Sequence, residues 1–389
     1  MHRRFLRNKD PIQYLEDRKD QYLSDFMDLF REKDHCQRKA KDFAHVCLRP
    51  AVTEYVNRSL GIQIVDEMLS SSQSSEYSSR SFFQFTILKE LLEKDDFESY
   101  IKYILKYEIF VKDWILRRIE NWFSKEGSLG KLKNNSLAVI MKKIHEAIGI
   151  SQIDSGGQAL PDDAQMSKML VEKFCKALSQ DIHIPMDTTS SVLFQLKTKP
   201  KLFASYLSHA VEDLKTSLEK EFYETANIHE TLRSLSIKPQ DELFKRVFGC
   251  GKQCPFCKVP CEAAGQEHRE HFASVHRPKG LGQYSYISTD KLCETICTTS
   301  VHSEARFRNS DTDYQFHPYK DYRAFYPDWH IPPDRTIEAS NYWKYVLVKY
   351  NDRFAELCKA KPANLPSAWQ SITQENARDS LNIIFNMKR

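Results

Sequence analysis

Apolar residues recur at helical spacing through the first part of the chain. Within residues 10–69, side chains such as Leu15, Tyr22 and Phe26 share one face, while charged residues fill the opposite face. This pattern predicts a long helix or a pair of helices. Pro50 is expected to interrupt or kink the segment, because proline removes a backbone donor and clashes with the preceding turn.

The helical pattern continues beyond a serine-rich run at residues 70–79, whose polar, low-complexity sequence predicts a loop or flexible linker. Helices are predicted next at residues 82–93, 97–123, 137–148 and 164–178. The clearest periodicity lies within residues 201–224, where one stripe consists of Phe203, Leu207, Ala210, Leu214 and Leu218. This stripe predicts a helix packed in a bundle, and a coiled-coil partner surface is the alternative.

The chain changes character near Pro239. A short helix, DELFKRVFG, is predicted to end at Gly249, because glycine readily adopts the left-handed conformation found at helix C-termini. From Arg277 onward the sequence is rich in aromatic residues and prolines, which predicts loops. A helical pattern returns at residues 337–360 and again after Ser367.

Composition indicates a soluble globular protein of several domains. The chain has 389 residues, of which 41% are hydrophobic and 28% charged. Its formal net charge of +4 supplies no large field for nucleic acid or a membrane surface. No signal peptide is recognisable, and the most hydrophobic stretch, FESYIKYILKYEIFVKDWIL, contains too many charges for a membrane span. We therefore expect a reducing intracellular compartment, where cysteines are thiols or metal ligands.

Four residues have the spacing of a zinc site. Cys254 and Cys257 are separated by two residues, thirteen residues follow before His271, and four more precede His276. This spacing matches a two-Cys, two-His zinc site within one residue. Thiolate and imidazole are preferred zinc ligands, and four protein ligands leave no open position for an activated water. The sequence therefore predicts one structural Zn²⁺, bound by Cys254, Cys257, His271 and His276.

The ligand set has alternatives. Cys250, Cys261 and His268 lie close enough in sequence to replace one member, and Cys261 could displace a histidine to give a three-Cys site. Cys293 and Cys297 lie one helical turn apart and could form half of another site, but no second pair follows them nearby.

A nucleic-acid-binding zinc-finger protein is the first alternative function. The aromatic and basic stretch at residues 306–335 could stack on single-stranded bases, although aspartates are interspersed through it. In the finger itself, Glu262, Glu267 and Glu270 oppose phosphate and only Arg269 would attract it. We therefore expect no nucleic-acid binding and interpret the aromatic residues as packing groups.

No catalytic set is visible in the sequence. The strings GSLGKLK and GCGKQC lack the spacing and the terminal hydroxyl of a phosphate-binding loop. Neither a Gly-x-Ser-x-Gly elbow nor a His-Glu-x-x-His motif occurs. The chain is therefore expected not to be an enzyme.

These patterns predict a mainly α protein, with a helical bundle or stalk followed by a small zinc-stabilised, loop-rich and aromatic-rich C-terminal domain. Five segments are expected: an N-terminal helical segment, a Ser-rich linker, a helical bundle, a zinc-binding module and an aromatic-rich domain, at 1–69, 70–80, 81–238, 239–282 and 283–389.

Several C-terminal strings resemble a known family. CPFCKVPCEAAGQEHREHFASVHRPKGLGQY, RFRNSDTDYQFHPYKDYRAFYPDW, IEASNYWKYV and PSAWQSIT are similar to the C-terminal end of the interferon-inducible very large GTPases, to which the up-regulator of cell proliferation is related. The similarity is strong from about Phe244 onward. The preceding helices are compatible with the helical region that follows the GTPase domain in that family.

The resemblance implies a dynamin-like, interferon-inducible family whose members reside in the cytosol, with the nucleus as a second compartment. No GTP-binding residue can be carried over, because the phosphate-binding loop and base-recognition motif have no match. We expect a C-terminal fragment, short isoform or truncated gene product that serves in assembly or partner binding through its helical surfaces. Binding of GTP rests on the family name alone.

Overall fold

A computed structural model describes residues 11–16, 18–30, 36–70, 79–124, 128–151, 163–193, 200–224, 227–263, 265 and 267–387. The predicted mainly helical fold is confirmed. The chain divides into two compact units, one formed by Met1–Leu60 with Lys125–Ser236 and the other by Gly61–Ser124 with Ile237–Arg389. The predicted linker at residues 70–80 lies largely outside the described residues.

The first unit is helical in its described parts. Its helices are α1 (Pro11–Glu16), α2 (Lys19–Phe30), α3 (Cys36–Phe43), the first part of α4 (Arg49–Ser70), α8 (Ser128–Ser151), α9 (Asp163–Leu178), α10 (Met186–Val192), α11 (Pro200–Glu224) and α12 (Ile228–Ser234). A π-helical turn, Ala44–Leu48, joins α3 to α4. Pro50 follows just after this turn, and because proline has no N–H to donate, the irregularity in the helical hydrogen bonding falls just before it.

Helix α11 supplies one wall of the core of this unit. All five members of its predicted stripe are buried, and they pack with apolar residues of α3, α8 and α9. The stripe is therefore bundle core, as the spacing predicts.

The second unit begins with the last part of α4 and contains α5 (Arg80–Lys94), α6 (Phe97–Leu105), α7 (Tyr107–Trp122), α13 (Pro239–Phe248), α14 (Cys297–Val301), α15 (Asn341–Cys358), α16 (Ser367–Gln370) and α17 (Gln374–Ile384). The single helix predicted at 97–123 breaks at Lys106, whose φ of −130° and ψ of 49° are not helical. Tyr342 links α15 to α5, because its hydroxyl donates to Leu88 O at 2.9 Å. Within the described residues, no helix is long and apolar enough to span a membrane.

Strands in the C-terminal region are only two residues long. β1 (His271–Phe272) pairs in parallel with β4 (Trp329–His330), and β2 (Arg306–Phe307) pairs antiparallel with β3 (His317–Pro318). Short 3₁₀ turns, including Lys279–Gly282 and Tyr319–Ala324, connect them. Because the strands are so short, few backbone hydrogen bonds stabilise this region, and side-chain contacts must contribute most of its stability.

Candidate metal centre

A tight hairpin at residues 252–261 organises the cysteines. An antiparallel bridge joins Gln253 to Pro260, and the N–H of Cys254 donates to Val259 O at 2.8 Å. Lys258 closes the turn with a φ of 60° and donates its N–H to Cys254 O at 3.0 Å. The tip of the hairpin therefore carries Cys254 and Cys257, while Cys250 and Cys261 flank its base.

Contacts with the helices of the same unit hold the hairpin in place. Gln253 Nε2 donates to Ile104 O at 2.7 Å and to Lys258 O at 2.6 Å, and the guanidinium of Arg80 donates to Cys261 O. At the other end, Gly249 has a φ of 79°, a conformation that suits glycine and lets the chain leave α13 for the hairpin.

Three cysteines and one histidine meet in the interior, and we refer to Cys254, Cys257, His276 and Cys297 as the inner cluster. All four are buried, and their ligand atoms lie within 4.8 Å of one another. Cys254 Sγ lies 3.8 Å from Cys297 Sγ, and Cys257 Sγ lies 3.2 Å from His276 Nδ1.

These separations resemble the edges of a zinc tetrahedron. With Zn–S distances of about 2.3 Å and Zn–N distances of about 2.0 to 2.1 Å, tetrahedral angles place two sulfurs about 3.8 Å apart and a sulfur about 3.6 Å from a nitrogen. The inner cluster thus presents four donors at nearly the spacing that one ion requires.

The electrostatics of the inner cluster favour one thiolate. Burial alone would raise the pKa of Cys257, but hydrogen bonds from Cys254 and Cys297 and the charge of His276 outweigh it and hold that pKa well below its usual value. Burial opposes protonation of His276, yet chiefly the charge of Cys257 raises the histidine pKa to about 10. Burial and the neighbouring thiols raise the pKa of Cys297 well above its usual value. Ionisation of a second or third thiol in the inner cluster would therefore require a bound cation.

A second group of possible ligands, the outer cluster, consists of Cys250, Cys261, His268 and His271. Its ligand atoms also lie within 4.8 Å of one another, but only Cys261 and His271 are buried. His268 Nε2 lies 3.0 Å from His271 Nδ1 and 3.4 Å from Cys261 Sγ, and Cys250 Sγ lies 3.6 Å from His271 Nδ1.

The structure divides the predicted ligands differently from the sequence spacing. Cys254, Cys257 and His276 lie together as expected, whereas His271 is on β1 with the three alternates Cys250, Cys261 and His268. The fourth member of the inner cluster is Cys297, the first residue of α14. Spacing rules for a single finger overlook it, because a ligand so distant in sequence is brought in by tertiary folding. The sequence signal that points to Cys297 is its spacing from Cys293, which is compatible with half of another metal site.

Aromatic rings enclose the inner cluster. Phe256, between the two hairpin cysteines, is fully buried and makes edge contacts with five rings at centroid distances of 4.9 to 6.3 Å: Tyr284, Phe307, Tyr319, Tyr322 and Tyr326. Phe307, Tyr319 and Tyr322 lie in one buried core with the cysteines, and Tyr284 and Tyr326 are partly buried against it. These five rings are therefore packing groups.

The described residues of the finger do not form the helix that a groove-reading finger presents. Its described residues between Glu262 and His276 form loops and the two-residue strand β1. Glu262 accepts from the N–H of Ser274 at 3.0 Å and from its hydroxyl at 2.6 Å, and Glu270 pairs with Arg323 at 2.9 Å. Both glutamates therefore have partners within the protein.

Comparison with known proteins identifies the C-terminal region. The family described as interferon-induced very large GTPase 1, C-terminal domain, matches residues 250–381. Interferon-induced very large GTPase 1 of Mus musculus is 26% identical over 394 residues, and the protein of that name from Homo sapiens is 24% identical over 401 residues. Each comparison covers 98% of this chain but 15% of the relative, so the chain spans a small part of their length. No solved structure matches the chain.

The matched domain begins at Cys250 and contains every member of the inner and outer clusters. The resemblance described from the sequence is confirmed: residues 250–381 match the C-terminal domain of the interferon-induced very large GTPases, and the chain as a whole is similar to the two relatives named above.

Proposed function

We propose that this chain is a non-catalytic assembly or partner-binding module, whose C-terminal part is stabilised by one structural zinc ion in the inner cluster. The observation that carries the proposal is the burial of three thiols and one imidazole at tetrahedral spacing. Three thiolates and an imidazole suit Zn²⁺, and four protein ligands leave no position for water.

The ion would stabilise a region that has little regular structure. It would join the hairpin, the loop at His276 and the start of α14, three segments with few backbone hydrogen bonds between them. A structural zinc contributes on the order of 10 kcal/mol of binding free energy, comparable with the whole stability of a typical domain at about 5 to 15 kcal/mol.

The test compares two cysteines that lie four residues apart. Cys293 and Cys297 are both buried, but only Cys297 belongs to the inner cluster. Cys297→Ala should remove one equivalent of zinc and make the C-terminal region sensitive to protease, whereas Cys293→Ala should retain the full zinc content. Equal zinc content in both variants, measured by elemental analysis after gel filtration, would contradict the inner site.

Helix α2 supports a role in assembly. Tyr22, Leu23 and Met27 are 43 to 55% exposed on this helix, although large apolar side chains usually avoid water. A second copy of the chain is the partner we propose for this surface. Light scattering coupled to gel filtration should show a concentration-dependent mass that Leu23→Glu lowers; a monomer at every concentration would exclude self-assembly.

The absence of catalysis is proposed from the family relationship, because the matched family is a C-terminal domain. The purified chain should neither bind a fluorescent GTP analogue nor release phosphate from GTP, and turnover that co-purifies with the chain would contradict this. Induction by interferon is proposed by analogy with the named relatives, and residence in the cytosol or nucleus is proposed from the family resemblance of the sequence alone. Transcript measurement after interferon treatment and imaging of the tagged chain test these two points.

A further inference from the structure

We propose that the outer cluster is a second zinc site, with Cys250, Cys261, His268 and His271 as its ligands. The matched domain would then hold two zinc ions, of which the sequence spacing predicts one. The second site stands on its own geometry and does not depend on the inner site.

The two histidine rings carry the argument, because each has its outward nitrogen next to an acceptor. His268 Nδ1 lies 3.2 Å from Gly265 O, and His271 Nε2 lies 3.3 Å from Asp328 Oδ2. A backbone carbonyl or a carboxylate can only accept a hydrogen bond, so these two nitrogens carry the hydrogens. The inward nitrogens, His268 Nε2 and His271 Nδ1, are then both lone-pair acceptors.

The two lone pairs face each other at close range. His268 Nε2 and His271 Nδ1 are 3.0 Å apart, with the sulfurs of Cys261 and Cys250 beside them. Two acceptors at that distance repel each other unless a proton or a cation lies between them. A zinc ion bound to two imidazoles would hold the nitrogens about 3.3 Å apart, which is close to the observed separation.

The outward contacts form the support that metal-bound histidines usually have. Such histidines almost always donate their second N–H to a carboxylate or a carbonyl, which fixes the tautomer and orients the ring. Asp328 is well placed for this role: the residue directly precedes β4, and its backbone oxygen accepts from the N–H of His271 at 2.6 Å. Asp328 would be a positioning residue for the ligand His271.

The donor set indicates the metal. Two thiolates and two imidazoles match the Cys₂His₂ composition of structural zinc sites. The ion would connect the residue after Gly249, the base of the hairpin and β1. Because Cys250 and His268 are only partly buried, this ion should exchange with chelators faster than an ion in the inner cluster.

The experiment counts metal on the full-length chain and assigns each ion to its cluster. Native mass spectrometry of zinc-loaded wild type should show two ions, Cys261→Ser should retain one, and Cys297→Ala should also retain one. With Co²⁺ as a probe, Cys261→Ser should keep the absorption of a three-thiolate site and Cys297→Ala that of a two-thiolate site. Asp328→Asn should keep both ions but release the outer one faster to a chelator.

Failure of each site has its own signature. If Cys261→Ser and wild type bind equal zinc, the outer site is wrong, whatever happens at the inner one. If Cys297→Ala keeps all the zinc but Cys261→Ser loses one ion, the inner site fails and the outer site stands. Zinc-loaded wild type that holds only one ion would overturn the proposal without any variant. A Cys250–Cys261 disulfide, which removes two of the ligands, would appear as a loss of two hydrogens in the intact mass and would also overturn it.

Discussion

Gly282 offers a test of how closely the chain packs against the inner cluster. The residue ends a 3₁₀ turn, and a Cβ atom built on it would lie 2.0 Å from Phe256 O and 3.0 Å from Cys257 Cα. Real Cβ contacts essentially never fall below 3.0 Å, so Gly282→Ala must displace the backbone between the two hairpin cysteines by about 1 Å.

Both stability and zinc binding should respond to this displacement. Overpacking of this kind costs about 1 to 3 kcal/mol. Zinc affinity should fall as well, because functional geometry tolerates shifts of only about 0.5 Å and the Phe256 peptide links the two thiolates. We expect a thermal midpoint several degrees lower and earlier loss of zinc to a chromophoric chelator.

Gly149→Ala is the matched control. Gly149 is in the last turns of α8, is exposed, and has nothing within 4 Å of the added methyl group. This variant should be stabilised by roughly 0.5 to 1 kcal/mol, because alanine favours the helix, and should bind zinc normally. Wild-type unfolding and wild-type zinc retention in Gly282→Ala would refute the close packing described above.

Three other predictions follow from the structure. Burial alone would raise the pKa of Asp95, but hydrogen bonds from Lys349 and Tyr350 outweigh it and hold that pKa below its usual value. The ionised carboxylate therefore stabilises the fold at neutral pH, and this contribution is lost as the pH falls through the lowered pKa. Asp95→Asn should therefore lower the free energy of unfolding in urea by under about 1 kcal/mol at pH 7, and an equal decrease at pH 2 would contradict this role of the carboxylate. Leu214→Ala, in the buried stripe of α11, should lower the free energy of unfolding by about 2 to 5 kcal/mol. Leu202→Ala, on the exposed face of the same helix, should lower it by under about 0.5 kcal/mol, and similar urea midpoints for the two variants would contradict the packing. Chelation should increase hydrogen exchange at residues 250–330 while α11 keeps its protection, and uniform exchange would contradict a local role for zinc.

Sequence periodicity predicts the helices well where burial is one-sided. The stripe of α11 and the short helix α13 fall where the pattern places them, because a single apolar face leaves little choice of structure. The break at Lys106 escapes prediction, since apolar residues continue on both sides of it and the sequence there carries neither glycine nor proline.

The candidate ligands divide in the same way. Cys254 and Cys257 are predictable because a local turn brings them together, and His276 follows within the range of a known motif. The partition of His271 and Cys297 is not predictable from spacing. It depends on the pairing of β1 with β4 and on the position of α14, which are both set by contacts distant in sequence.

The order of the ligands along the chain has a consequence for synthesis. The inner cluster needs Cys297, which the ribosome adds 43 residues after Cys254. At about 5 to 20 residues per second, the hairpin cysteines wait roughly 2 to 9 s for their last partner. In the last part of this interval, after His276 is added, all four members of the outer cluster are present together with Cys254, Cys257 and His276. With zinc in the inner cluster as proposed, the nascent domain must therefore avoid capturing the ion with a mixed set, such as Cys254, Cys257, His271 and His276, before Cys297 is available.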